Sequence, residues 1–224
     1  VISIGNITVG GTGKTPFTIY LARKIMARGK KSAILMRGYG ADEILELERN
    51  VPQAAVIVDR DRFRGAQKFT HSGGAADVFL MDDGFQHRGL ARDVNIVLIN
   101  SLNPFGNRWL LPAGSLREPL TALQRADVIA LTHADEVTQE VLSALEKEVG
   151  SLAPHVPIIT CGHVPDVMIN TRTQAVQHVT ALQGQPVIGF SGIGFNAGFL
   201  HTLTRLGAHV VKYREFLDHA HYME

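Results

Sequence analysis

One cysteine, one tryptophan and almost no net charge set the first limits on this 224-residue chain. The single cysteine, Cys161, excludes an internal disulfide framework and fits a reducing compartment. It closes an apolar run and reads as a buried small hydrophobe, not a nucleophile. The 22 basic and 21 acidic side chains leave a charge of +1, so electrostatics give no reason to expect a nucleic-acid partner. No run approaches the ~18 apolar residues of a membrane span, and no signal peptide is expected within these residues. The chain opens inside a buried strand, so any anchoring segment is expected ahead of it.

Apolar residues make up 45% of the chain, enough for a sizeable core. Short β-branched runs alternate with helical patterns, the signature of a parallel sheet flanked by helices. The expected strands are Val1–Ile4, Ser32–Met36, Ala54–Val58, Val78–Met81, Val94–Ile99, Val128–Leu131 and Pro157–Thr160. Helices are expected near Lys14–Arg28, Asp42–Asn50, Asp61–His71 and Thr138–Val149. The first presents Phe17, Leu21, Ala22, Ile25 and Met26 on one face and stops at Gly29. From His163 the texture changes to two extended segments with a turn. A strand (Val187–Phe190), a helix (Ala197–Arg205) and a strand (His209–Tyr213) follow. The expected division is a core over residues 1–165, then a two-stranded linker and a smaller α/β domain over 166–224.

Between the first strand and the first helix runs Gly10-Gly11-Thr12-Gly13-Lys14-Thr15. Glycines let backbone N–H groups curl around phosphate oxygens, the helix N-terminus favours an anion, and Lys14 adds a mobile charge. Thr15 offers a hydroxyl to Mg²⁺. The common pattern would place one more glycine at position 8, which is Thr8 here. The loop is expected to bind a nucleoside triphosphate.

The strand Val78–Met81 ends in Asp82 and Asp83, followed by Gln86 and His87. A carboxylate at this end of a parallel strand faces the ligand crevice and can orient Mg²⁺. Adjacent aspartates on a continuing strand point to opposite sides, so one of the two is expected to serve the metal.

Two further motifs compete for attention. Gly192-Ile193-Gly194-Phe195-Asn196-Ala197, with Glu215 downstream, imitates a dinucleotide fingerprint and allows a nicotinamide-dependent oxidoreductase as a rival. Arg23, Lys24, Arg28, Lys30 and Lys31 cluster around a helix C-terminus. Cations are favoured there by the helix dipole, and a contact with anionic lipid is the sharper alternative.

The combination of "GNITVGGTGKTP", "RGYG", "DDGFQHRGL", "LLPAGSLREPL" and "FLDHAHY" resembles the tetraacyldisaccharide 4′-kinases, in that family's order from Gly5 to Tyr222. The resemblance implies a P-loop NTPase-like core with a second, smaller α/β domain. It implies transfer of the ATP γ-phosphoryl group, with Mg²⁺, to the 4′-hydroxyl of a tetraacylated glucosamine disaccharide 1-phosphate in lipid A biosynthesis. The expected location is the cytoplasmic face of the bacterial inner membrane, with a monomer, a lipid disaccharide substrate and no nucleic acid. The chain is expected to stop short of the family's usual length.

Matched motif by motif, the resemblance gives Gly10, Gly11, Thr12, Gly13, Lys14 and Thr15 to ATP. Thr15, Asp82 and Glu118 go to the metal, with the choice between Asp82 and Asp83 open. Asp42, in "ADEI" where the family has a "GDE" motif, would be the catalytic base. His219 would orient it, with His221 a competitor; Lys14 and Asp83 complete the catalytic set. Arg62, Gln86, His87 and Arg117 are expected to meet the substrate. A nucleotide-regulated switch remains the other rival, since unrelated NTPases share such loops.

Overall fold

The computed structural model describes residues 1–38, 41–193 and 196–217. Contacts divide the chain into two compact units, Val1–Cys161 and Gly162–Glu224.

Seven parallel strands form the sheet of the first unit: β1 (Ile2–Asn6), β2 (Ser32–Met36), β3 (Ala55–Val58), β4 (Val78–Met81), β5 (Val94–Asn100), β6 (Val128–Thr132) and β7 (Ile158–Thr160). Their order is β3-β2-β4-β1-β5-β6-β7. The chain builds out one side of β1 through β4, then crosses to the other side with β5. The carboxyl ends around β1 therefore form the crevice where such sheets take ligands. Helices α1 (Lys14–Met26), α2 (Ala41–Asn50), α3 (Arg62–His71) and α4 (Gln139–Leu152) connect the strands. Ile34, Leu35, Leu80, Val97, Leu98 and Ile129 are fully buried, as expected of strands covered on both faces.

Five details depart from the sequence expectation. Strand β1 runs on to Asn6, β5 to Asn100 and β6 to Thr132, so each ends in a polar residue that ladder pairing still holds. The buried positions of α1 include Thr18 and Ile19 beside Ala22, whereas Phe17, Leu21, Ile25 and Met26 are only partly buried against the core. Asp61 caps α3 by accepting from the Arg64 N–H (3.1 Å), so Arg62 becomes its first residue. Cys161 is half-buried rather than buried, with its thiol pushed up by desolvation. Short 3₁₀ turns at Leu120–Arg125, Ala134–Glu136 and Val179–Leu182 had no counterpart in the apolar pattern. Helix α1 ends as its composition suggests: Gly29 and Lys30 donate back to the carbonyls of Met26 and Ile25.

The second unit holds an antiparallel pair, β8 (Val167–Ile169) with β9 (Val176–His178). It also holds a parallel pair, β10 (Pro186–Ser191) with β11 (His209–Glu215), joined through α5 (Asn196–Arg205). At the start of α5, the Asn196 side chain accepts from Ser191 Oγ and donates to the Phe216 carbonyl (3.0 Å).

Candidate functional site

The phosphate loop leaves β1 and enters α1 through Gly13, whose φ of 76° closes the turn. Gly10 has φ 111°; both values lie where side chains are strained and glycine is not. Gly13 caps α1 with no side-chain hydrogen bond, and the first turn carries no acid. The helix thus begins with N–H donors and a positive dipole end directed at an anion site.

Three polar strand ends hold this loop. The Asn6 amide donates to Thr12 Oγ1 (2.9 Å), Asn100 donates to the Gly11 carbonyl (3.1 Å), and Thr132 Oγ1 donates to the Thr12 carbonyl (3.1 Å). Thr12 is buried, so the two bonds to it act where water competes little, while the bond to Gly11 is only part-buried. Sequence reasoning missed all three residues. The available signal was the polar residue closing each apolar strand, and only the fold shows that those ends meet one loop.

The acidic strand end separates its two aspartates by more than face alternation. Strand β4 stops at Met81, and Asp83 takes a positive φ of 47°, so the two-sided alternation expected of a continuing strand does not operate. Asp82 is 5% exposed and accepts from Thr18 Oγ1 (3.0 Å). Burial pushes its carboxyl up to about 6, against the opposing pull of Lys14 and the Thr18 hydroxyl; the Glu43 and Asp83 charges add to the rise. Asp83 is also largely buried, which would raise it. Lys14 and Arg117 win, however, and hold it below the usual carboxylate range. Lys14 Nζ lies 3.7 Å from Asp83 Oδ1, and Arg117 donates to both carboxylate oxygens at 3.0 and 2.9 Å.

Arg117 reaches this place because its segment pairs with the loop's approach. Its N–H donates to the Ile7 carbonyl (2.7 Å), and Val9 donates to the Ser115 carbonyl (2.8 Å). Next to it, Glu118 accepts from Gln86 (3.1 Å) and Arg125 (3.0 Å), with Arg88 3.6 Å away. Gln86 also donates to the Asn6 carbonyl (2.8 Å). Arg62, 4% exposed, donates to the carbonyls of Asp82 and Asp83 at 3.4 Å.

A cavity of about 160 Å³ opens among Arg37, Arg62, Asp83, Gln86, His87 and Arg117. Burial, then the Arg62 charge, lowers the His87 pKa against the opposing pull of Asp61; Arg92 and Arg37 lower it further, so the ring is neutral at pH 7. His87 Nε2 and Gln86 Oε1 are buried without a hydrogen-bond partner among the described residues. Such atoms favour a ligand that brings hydroxyl or phosphate groups.

Asp42 lies exposed in the first turn of α2. Its neighbour Glu43 is half-buried, and it is Glu43 whose charge contributes to the rise at Asp82. His219 and His221 fall outside the described residues. Among the described residues, no group of three or more His, Cys, Asp or Glu could hold a metal ion by itself. Within the basic cluster, Arg23 donates to the Asn50 carbonyl and side chain, Lys24 stands over the Tyr20 ring, and Lys30 pairs with Asp77 at 3.7 Å.

Comparison with known proteins gives a consistent result. The family model of tetraacyldisaccharide-1-P 4′-kinase (LpxK) matches residues 1–224. A tetraacyldisaccharide 4′-kinase of Anaeromyxobacter sp. (strain K) is 39% identical over 241 residues, covering 98% of this chain and 63% of that protein. The chain thus spans somewhat less than two thirds of that relative's length. The structure of LpxK from Aquifex aeolicus in complex with ATP superposes with a TM-score of 0.72 at 31% identity, covering 98% of this chain and 71% of that one. HypB from Helicobacter pylori, at 18% identity and a TM-score of 0.51 over 72% of this chain and 78% of its own, shares the fold alone. With its motifs, its parallel sheet and a family model that matches residues 1–224, the chain belongs to the tetraacyldisaccharide-1-P 4′-kinase family.

Proposed function

We propose that this chain carries the nucleotide site and the phosphoryl-transfer chemistry of an ATP-dependent kinase. Its acceptor would be the 4′-hydroxyl of a tetraacylated glucosamine disaccharide 1-phosphate. The observation that carries the reading is the linked set Lys14–Asp83–Arg117 at the mouth of an uncapped phosphate loop, beside a cavity rich in arginine. Phosphoryl transfer needs positioning and charge neutralisation above all, and this arrangement offers both. Family membership supplies the acceptor, and the relative crystallised with ATP supports that nucleotide.

In this reading the loop N–H groups and Lys14 hold the β- and γ-phosphates. Mg²⁺ fits the donor set, because Thr15 and Asp82 offer hard oxygen ligands and phosphates complete such sites. Glu118 is the further carboxylate proposed for it. The ion would neutralise charge on the phosphates. The acceptor oxygen forms a bond to Pγ as the bond from Pγ to the β–γ bridging oxygen breaks, releasing ADP. The hydroxyl proton passes to Asp42, with His219 orienting that base. Arg62, Arg117, Gln86 and the neutral His87 would meet the acceptor sugar and the phosphoryl group in transit. Trp109, Leu110 and Leu111, exposed on the loop that leads to Arg117, suit contact with the surface of the inner membrane. Among the described residues, no helix is long and apolar enough to cross a membrane.

The test is incubation with γ-labelled ATP, Mg²⁺ and the disaccharide lipid, followed by locating the label. Label on the 4′-position supports the reading, and triphosphate hydrolysis without transfer would point to a switch instead. Asp42→Asn should abolish transfer with near-normal ATP affinity. His219→Ala should be milder, and the double variant non-additive. Additive losses, or a larger effect from His221→Ala, would remove the proposed dyad.

A further inference from the structure

Residues 82–93 carry the chain from β4 to β5 without a helix. Such a stretch needs partners for its carbonyls, and Arg92 supplies several. Its guanidinium donates to the carbonyls of Gly84 (3.1 Å), Phe85 (3.3 Å) and His87, and to Asn95 Oδ1 (3.0 Å). All four acceptors are neutral, so the Arg92 charge is held in place without being neutralised. Two more arginines stand beside it. Arg125, closing the 3₁₀ turn Leu120–Arg125, lies 4.4 Å from the centroid of the buried Phe85 ring. Arg88 follows His87 and is mostly exposed. With Phe85, Leu90 and Asn95, the three arginines line a cavity of about 350 Å³. Glu118 is the carboxylate that Arg125 reaches at 2.9 Å and Arg88 at 3.6 Å. Three cations against this one anion leave positive charge in excess. Burial lowers the Arg92 pKa, and the Arg125 and Arg88 charges lower it further against the pull of Glu118. A guanidinium does not shed its proton to relieve such repulsion. An incoming anion would relieve it.

We infer that the cavity of Arg88, Arg92 and Arg125 is a phosphate-monoester site, and that its occupant is the 1-phosphate of the acceptor disaccharide. The choice of occupant rests on the reading of this chain as a kinase for that disaccharide; the anion chemistry rests on the arginine cluster itself. A phosphate monoester carries about 1.5 to 2 negative charges at pH 7, which matches the excess. Its oxygens also accept from a guanidinium at two points, a geometry that a planar fork serves and an ammonium does not. Phe85 fixes the plane of the Arg125 fork, Arg88 reaches the cavity from the solvent side, and Arg92, already bonded to the backbone, adds its field. The position fits as well. Gln86 and His87 line the cavity beside Asp83, and Arg88 is the next residue along. Gln86 donates to Glu118 (3.1 Å), the same carboxylate that Arg88 and Arg125 reach. The disaccharide carries its reacting hydroxyl on one sugar and its phosphate on the other, so it calls for two adjoining places of this kind.

The experiment measures equilibrium binding of the tetraacylated disaccharide, with and without its 1-phosphate, to the chain and to Arg88→Ala and Arg125→Lys. Both ligands are dispersed in neutral detergent. Arg88→Ala removes an exposed side chain and leaves the fold alone, whereas Arg125→Lys keeps the charge and loses the fork. The unaltered protein should bind the phosphorylated ligand at least tenfold more tightly than the other. Each variant should weaken the phosphorylated ligand roughly tenfold, the loss expected for one hydrogen bond to a charged group. The unphosphorylated ligand should stay within about twofold in both. No preference in the unaltered protein overturns the site, as does a preference that survives in both variants or an equal loss of both ligands. Vesicles containing phosphatidic acid separate the other source of a phosphate monoester. Arg88-dependent binding to them, with no preference between the disaccharides, overturns the acceptor assignment in favour of a membrane headgroup. Transfer of label from ATP is followed with the same ligands. An arginine-dependent preference without transfer keeps the phosphate site and removes the kinase reading. Equal transfer to both disaccharides without any binding preference does the reverse.

Discussion

The two flanks of the phosphate loop are built from different chemistry. On the β4 flank stand charges: Lys14, Asp82, Asp83, Arg62 and Arg117, linked by ion pairs and charged hydrogen bonds. On the β5–β6 flank the contacts are neutral, from the side chains of Asn100 and Thr132 to loop carbonyls. A neutral hydrogen bond fixes geometry and does not respond when charge moves nearby. Charged groups respond strongly, and Lys14 and Arg117 are both committed here to Asp83, a partner that would compete with an incoming phosphate for them. One flank is therefore suited to hold the loop's shape and the other to act on its ligand.

The sharpest way to break this contrast is Lys14→Ala. Removing a cation that stabilises a transferring phosphoryl group should cost a hundredfold to a thousandfold in turnover, about 3–4 kcal/mol. Activity within a few-fold of the parent, in a variant with unchanged circular dichroism, would take the chemistry away from this flank.

Asp82 and Asp83 allow a finer test, because the same residue type is pushed in opposite directions. The Asp82 carboxyl is raised from 3.8 to about 6, so the fold favours its neutral form. That contribution is full below 3.8 and is lost as pH rises through about 6. Asp82→Asn keeps an acceptor for Thr18 and stays neutral throughout. Without nucleotide it should be more stable than the parent at pH 8, by on the order of 2–3 kcal/mol, and equal to it near pH 3. Thermal melts across this range check it; a gap that does not depend on pH would contradict the burial of a charge at Asp82.

Arg117→Ala should behave the other way. Asp83 is held low although burial opposes it, so its stabilising contribution is present above 3.8 and is lost as pH falls through its lowered value. Removing both Arg117 bonds should cost about 1–2 kcal/mol at pH 7, with the deficit shrinking in acid. The same melts read it, and a deficit that persists unchanged at pH 2 would assign the loss to packing instead.

The smallest effect belongs to the neutral flank. Thr132→Val deletes the hydroxyl that donates to the Thr12 carbonyl while keeping shape, and should cost about 1 kcal/mol at every pH. Chemical denaturation at pH 5 and pH 8 measures it. A pH-dependent loss would show that this flank is electrically coupled to the other.

The fold class was legible because parallel strands covered on both faces are written as continuous apolar runs. Ser32–Met36 and Val78–Met81 fall where those runs predict. Strand ends were less legible. Asn6, Asn100 and Thr132 look like the first residues of loops, yet ladder bonds carry each strand one or two residues further. The buried side of α1 was misread at Thr18, because a threonine is apolar enough to bury only when something accepts its hydroxyl, and that acceptor, Asp82, is 64 positions away. Asp83's positive φ could not be seen in a strand-ending "DDG" either.

By itself the sequence determined what depends on near neighbours: where glycines let the loop turn, where Gly29 closes α1, and which runs are apolar enough to form a sheet. It also determined the family, since five motifs in order are a linear property. The tertiary structure decided what depends on burial and on distant partners. Two adjacent aspartates have their acidities shifted in opposite directions because one is enclosed beside Thr18 while the other meets Lys14 and Arg117. Three unremarkable polar residues become the loop's supports because parallel strands bring all their carboxyl ends to one edge. Desolvation and Coulomb interaction act through space, and only the folded chain sets those distances.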